Sequence, residues 1–153
     1  MARGTVYEIE TDRDNVGFLD ESDLYDLAGY EADYFQNIEN ETPILQKFLK
    51  RWKDYGAYTG TVTNYEGKSI PWIVFTRDAR EAYFKAKFVT MQKLAATMTF
   101  DQFCSDVTNL KRAVCDTYDD AVYFNKYFQP MDDFLRTLIL GKRYYIGHAV
   151  FMH

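Results

Sequence analysis

Two runs rich in β-branched and aromatic side chains, residues 58–65 and 69–76, flank the tripeptide Glu66-Gly67-Lys68. Runs of this kind on either side of a glycine-bearing turn predict a β-hairpin, because glycine takes the positive φ that tight hairpin turns require. A hairpin commits the chain to antiparallel pairing and excludes an all-helical fold. Pro71 has no amide hydrogen to donate to a ladder, so it places the second strand at an edge or its start at a bulge.

The rest of the chain supplies helices at irregular intervals. Thr42-Pro43 is the clearest start: threonine suits the N-cap and proline the first helical position. Ile44, Leu45, Phe48, Leu49, Trp52 and Tyr55 then follow at helical spacing until Gly56 stops them. Ser22 predicts the cap of a short helix through Leu24, Leu27 and Ala28 to about Phe35. Asp78 with Glu81 opens a long helix over residues 78–98. Thr99 with Gln102 repeats the capping pattern, and Phe100, Phe103, Cys104, Val107, Leu110 and Val114 share one helical stripe behind it. Pro130 opens a short helix through Phe134, Leu135 and Leu138 that Gly141 ends. Residues 5–11 and 143–151 alternate as strands, and residues 118–128 fit helix or strand equally. Strands and helices do not alternate one for one, which favours an α+β fold over a doubly wound one. The expectation is a single domain over residues 1–153, a small, largely antiparallel sheet of about four strands packed with roughly four to five helices.

The longest apolar run, residues 70–75, is far short of the roughly 20 residues that a membrane-spanning helix needs, so no membrane is expected among the partners. No apolar signal core follows Arg3. Cys104 and Cys115, read as lying on one continuous helix, would be roughly 16 Å apart along it, too far for a disulfide. Two buried thiols in a reducing, cytoplasmic setting are expected.

The formal net charge of −5 conceals a polarity along the chain. Residues 1–45 hold twelve carboxylates against Arg3 and Arg13, whereas residues 46–153 are net positive. Phe18, Tyr25, Tyr30, Tyr34 and Phe35 are interleaved with the acids. Either the acidic segment folds over the more basic body and is neutralised by it, or it stays solvated as an interaction surface.

Signatures of chemistry are missing. Histidine occurs only at 148 and 153, and Cys104 and Cys115 form no metal-binding pair. Serine occurs only at 22, 69 and 105, none of them in a nucleophile elbow, and the eight glycines form neither a phosphate-binding loop nor a dinucleotide fingerprint. Residues 12–23 resemble a calcium-binding EF-hand loop at Asp12, Asp14, Gly17, Leu19 and Asp20. Val16 stands where that loop supplies an oxygen and Asp23 where it has a bidentate glutamate, so the segment reads as an ordinary acidic loop. Tyr145-Ile146-Gly147 resembles half of the GIY-YIG nuclease signature, without the segment that carries the rest of that active site. The pairs Asp119-Asp120 and Asp132-Asp133 fall near helix starts, where carboxylates favour the dipole. Lys47, Lys50, Arg51 and Lys53 beside Trp52, and Arg77, Arg80, Lys85 and Lys87 beyond them, mark basic helix faces of a kind that phosphates bind.

These features favour a non-catalytic binding or inhibitor module, with no catalytic residue, metal or cofactor assigned. Asp12, Asp14, Asp20, Glu21, Asp23, Asp26, Tyr30, Glu31, Asp33 and Tyr34 form the expected contact surface for a basic protein partner. Carboxylates steer encounter with a positive groove, and tyrosines supply contact area at low entropic cost. A groove that normally holds nucleic acid is one target, because carboxylates can stand in for phosphates. Small acidic proteins of phages and mobile elements that inhibit CRISPR or restriction enzymes (anti-CRISPR and antirestriction proteins) are similar in this general character. The alternatives are a divalent-metal-dependent enzyme without a local motif and a direct nucleic-acid binder that uses the basic helix faces.

Overall fold

A computed structural model describes residues 4–114 and 120–153. Its strands are β1 (Gly4–Glu10), β2 (Phe35–Asn37), β3 (Tyr58–Thr63), β4 (Ser69–Val74), β5 (Ala121–Phe124), β6 (Tyr127–Pro130) and β7 (Arg143–Met152). The helices are α1 (Thr42–Tyr55), α2 (Arg77–Thr97), α3 (Phe100–Ser105), α4 (Thr108–Val114) and α5 (Met131–Thr137), with 3-10 turns at Arg13–Asn15 and Glu21–Leu27. The class is α+β, but the strands form one seven-stranded sheet where about four were expected from the element pattern. The additional strands are short. β2 has three residues, and β5 and β6 form a hairpin over the described part of the ambiguous segment 118–128. Its turn, Asn125 (φ 54°) and Lys126 (φ 67°), is left-handed at both positions without a glycine.

The strand order is β3-β4-β7-β1-β5-β6, with β2 added to β7. Among the described strands only the β1–β5 pairing is parallel; the other neighbours run antiparallel. β7 holds β1 along one side and, on the other, β4 at its start and β2 at its end. Pro71 is not in an edge strand: β4 is interior, but β7 meets it only from Trp72 onward, so the proline lies where β3 is the sole neighbour.

Tyr7 pairs with Ala149 and Ile9 with Ile146, so Gly147 and His148 together oppose Glu8 as a bulge in β7. The extra residue resets the alternation of side chains. Tyr144 and Ile146 point to one face, Ala149 rejoins that face beyond the bulge, and Val150 and Met152 turn to the other.

α1, α2 and α5 cover the first face. Trp52 lies at its centre, stacked on Tyr83 at 5.4 Å and edge-on to Phe75 at 5.0 Å, with Phe134 and Tyr144 completing the aromatic cluster. Burying each such side chain stabilises the fold by about 1.5–3 kcal/mol. Asp132 at the start of α5 is buried against Lys87 (2.6 Å) and the Tyr83 hydroxyl (2.6 Å), which ties α5 to α2. Asp132 and Asp133 do occupy a first helical turn, whereas Asp119 and Cys115 lie outside the described residues.

Several local expectations are corrected. Thr42 is the first helical residue of α1, and Glu41 takes the cap position. Gly56, at φ 112°, ends α1 as anticipated. Asp20 rather than Ser22 caps the segment that follows it, which is a 3-10 turn and stops at Leu27. The stripe from Phe100 to Val114 is broken, because the Asp106 carboxylate accepts from the Thr108 amide (2.8 Å) and hydroxyl and so restarts the helix. Cys104 is consequently exposed rather than buried. Among the described residues, no helix is long and apolar enough to cross a membrane.

Candidate functional site

The connection between β1 and β2, residues 11–34, lies as a coat over the second face of the sheet. Leu19, Leu24 and Ala32 anchor it on Val6, Ala121, Val150 and Met152, with Phe35 at its far end. Its irregular path follows from its composition, since Asp and Asn side chains take backbone amides that a helix or strand would otherwise use. Asp12 accepts from the Asp14 amide (2.9 Å), and Asp14 accepts from the Tyr65 amide of the β3–β4 turn (3.2 Å). Asp20 accepts from the Ser22 amide (2.9 Å) while Asp23 accepts from the Asp20 amide (2.9 Å), a reciprocal capping box. Asn37 clamps this corner: it donates to Asp20 through its side chain and to Glu21 through its backbone. The Ser22 and Asn37 bonds hold the Asp20 carboxyl below the ordinary aspartate value.

The acids therefore organise the coat through amides rather than through cations. Asp12, Asp14, Asp20, Glu21 and Asp23 face amides and Asn37, Asp26 is exposed and Glu31 half-buried; none meets a Lys or Arg of the described residues. Several cations of the body are engaged elsewhere. Lys50 pairs with Asp54, Arg51 with Asp120, Arg77 with Glu81, Lys87 with Asp132 and Arg136 with Asp133, and Arg143 lies over the Trp72 ring at 4.2 Å.

The ten anticipated contact residues share this coat but fall at different parts of it. Asp20, Glu21 and Asp23 gather at the Asn37 corner, and Asp14 sits at the β3–β4 turn. Asp33 and Tyr34 lie at the far end, where the His153 ring stacks on Tyr34 at 4.4 Å and the Asp33 amide donates to the His153 carbonyl. Between them Tyr30 is 89% exposed and Tyr25 58% exposed. Phe18, 66% exposed, and Tyr25 were not among the anticipated contact residues. In an irregular segment no periodicity tells an anchoring ring from a solvated one, so the sequence carries no signal for them.

Beneath the coat two further carboxylates act on the β7 bulge. Glu8 is buried and accepts from the amides of Gly17 (2.9 Å), Phe18 (3.2 Å) and His148 (2.8 Å). Glu41 holds the His148 ring through Nδ1 (2.6 Å) and the Ala149 amide (3.0 Å). A groove of about 560 Å³ opens between the coat and the β5–β6 hairpin, lined by Glu8, Glu10, Phe18, Asp23, Tyr123 and Lys126 among others. Burial, reinforced by Glu8, raises Glu10 above the ordinary carboxylate value. Burial together with Asp23, Glu10 and Glu8 likewise raises Tyr123. Burial is the main cause of both shifts, and the neighbouring carboxylates add to it.

Chemically, the arrangement offers a surface rich in carboxylates. The Glu41–His148 pair is oriented as a general base would be, but no hydroxyl or thiol among the described residues hydrogen-bonds its other ring nitrogen. No three His, Cys, Asp or Glu side chains among the described residues converge as a metal-binding group. No protein-family model matches the chain, and comparison with curated proteins and with solved structures returns no match.

Proposed function

We propose that this protein is a non-catalytic binding module whose acidic, aromatic coat docks on a basic protein surface, with the nucleic-acid groove of a processing enzyme as the fitting target. One observation carries the reading. Asp12, Asp14, Asp20, Glu21, Asp23, Asp26 and Glu31 keep their charge unpaired by Lys or Arg of the described residues, on the same coat that presents Phe18, Tyr25, Tyr30 and Tyr34 to solvent. Unpaired carboxylates raise encounter rates with a cationic partner, and exposed rings provide the contact area that holds it. Direct nucleic-acid binding is the weaker reading, because Lys50, Arg51, Arg77 and Lys87 each already face a carboxylate.

Affinity capture with the full chain as bait, with and without nuclease, tests the reading. A basic protein should be retained at about 0.1 M salt and released at about 0.5 M, where screening shortens to a few ångströms. Asp23→Lys, Asp26→Lys and Glu31→Lys together should weaken retention by about tenfold or more. Equal capture by the charge-reversed bait would sink the proposal.

A further inference from the structure

Residues 85–114 form three helical pieces without one buried side chain. They are the later part of α2, α3, and α4, which packs back against α2. The buried residues of α2 are Ala79 and Tyr83, both in its first turns, so beyond them the helix leaves the core as an arm. Phe100 is 78% exposed and Phe103 62% exposed, and Phe88, Val89 and Val114 also reach the surface. One exposed apolar side chain is ordinary, but several on successive helices point to an interaction surface. The arm is also basic: Lys85, Lys87, Lys93, Lys111 and Arg112 stand against Asp101 and Asp106, with Lys87 engaged by Asp132.

The chain carries the complement of this surface on its other side. The coat is acidic and presents exposed rings, the arm is basic and presents exposed rings, and the sheet separates them. We infer that the arm docks on the coat of a second copy of this chain, with Phe88, Phe100 and Phe103 supplying apolar area and Lys85, Lys93 and Lys111 meeting coat carboxylates. The inference rests on the coat being a docking surface and names one occupant for it. The contact is head-to-tail, so each copy can give its arm to one neighbour and its coat to another, and association is open-ended and weakened by salt. A foreign basic partner competes with the neighbour's arm for the same coat.

Sedimentation of the full chain tests this. At about 0.05 M salt the weight-average mass should rise about twofold or more with concentration, and at about 0.5 M it should return to the monomer value. An arm variant (Phe100→Asp with Phe103→Asp) and a coat variant (Asp23→Lys, Asp26→Lys and Glu31→Lys) should each remain monomeric. Mixed in equal amounts they should form a heterodimer, because one intact arm then meets one intact coat. A native chain that stays monomeric throughout overturns the inference. So does a coat variant that still dimerises, which marks arm-on-arm pairing, or a mixture that stays monomeric. Phe103→Ser and Asp26→Lys, single changes at exposed positions, serve the same comparison where a multiple variant fails to fold. Titrating a lysine- and phenylalanine-containing amphipathic peptide onto the arm variant separates the two proposals. Peptide binding without self-association removes only the second copy as occupant, and absence of both removes the docking role of the coat as well.

Discussion

Glu8 is a buried carboxylate whose three partners are backbone amides, and its position explains the residue across from it. A Cβ built on Gly147 would lie 2.0 Å from Glu8 Oε1 and 2.8 Å from the Gly17 nitrogen, so any side chain there displaces the carboxylate or the coat. Gly147→Ala should therefore destabilise the fold by about 1–3 kcal/mol, the usual range for overpacking, and loosen the coat near Gly17 and Phe18. Denaturant unfolding and amide exchange at those two residues would check it, and unchanged protection would show that the bulge tolerates the methyl group. None of this is legible in the sequence. Glu8 alternates within a strand like any solvated residue, and Gly147 stands in a run that alternates as a strand and in a tripeptide, Tyr145-Ile146-Gly147, that resembles half of a nuclease signature. The acids of residues 12–33 are different, since their density alone marks them as a group. Which of them would find cations depended on a fold that brings amides to them first.

At the scale of elements, the hairpin of β3 and β4, α1 with its Gly56 stop, the opening of α3 and the last strand were all legible, because periodicity and caps agree locally with the fold. What escaped was set by local competition. Asp106 interrupts a continuous apolar stripe by capping Thr108, and no hydrophobic pattern shows a side chain preferring its neighbour's amide. The β5–β6 hairpin lacks the glycine that announces a two-residue turn. Lys126 holds φ 67° at a position where glycine carries no steric cost. Lys126→Gly should raise stability by up to about 1 kcal/mol, read from the midpoint of chemical denaturation, because strain relieved in the turn exceeds the entropy that glycine adds to the unfolded chain. A lower midpoint would show that the lysine side chain contributes more, through its place beside the Glu10 groove, than its backbone costs.

For the molecule as a whole, the sheet works as a divider between two surfaces of opposite character. Its helical side is built from paired charges and aromatic packing, and its coated side from carboxylates that repel one another. Added salt should therefore stabilise the folded chain. In dilute solution the melting temperature should rise between about 0.02 M and about 0.2 M salt as screening relieves that repulsion. A fall over the same interval would mean that attraction between the acidic segment and the basic body dominates, the outcome the sequence alone left open.

The position of β7 has a consequence for how the molecule comes into being on the ribosome. β1, β2 and β4 are all made before the strand that joins them, and their shared partner is complete only when residue 152 has been added. Until then the first strands wait with open edges, the condition in which nascent chains adhere to one another. The segment that emerges beside them is the most negatively charged of the whole sequence, so mutual repulsion keeps neighbouring unfinished chains apart while synthesis proceeds.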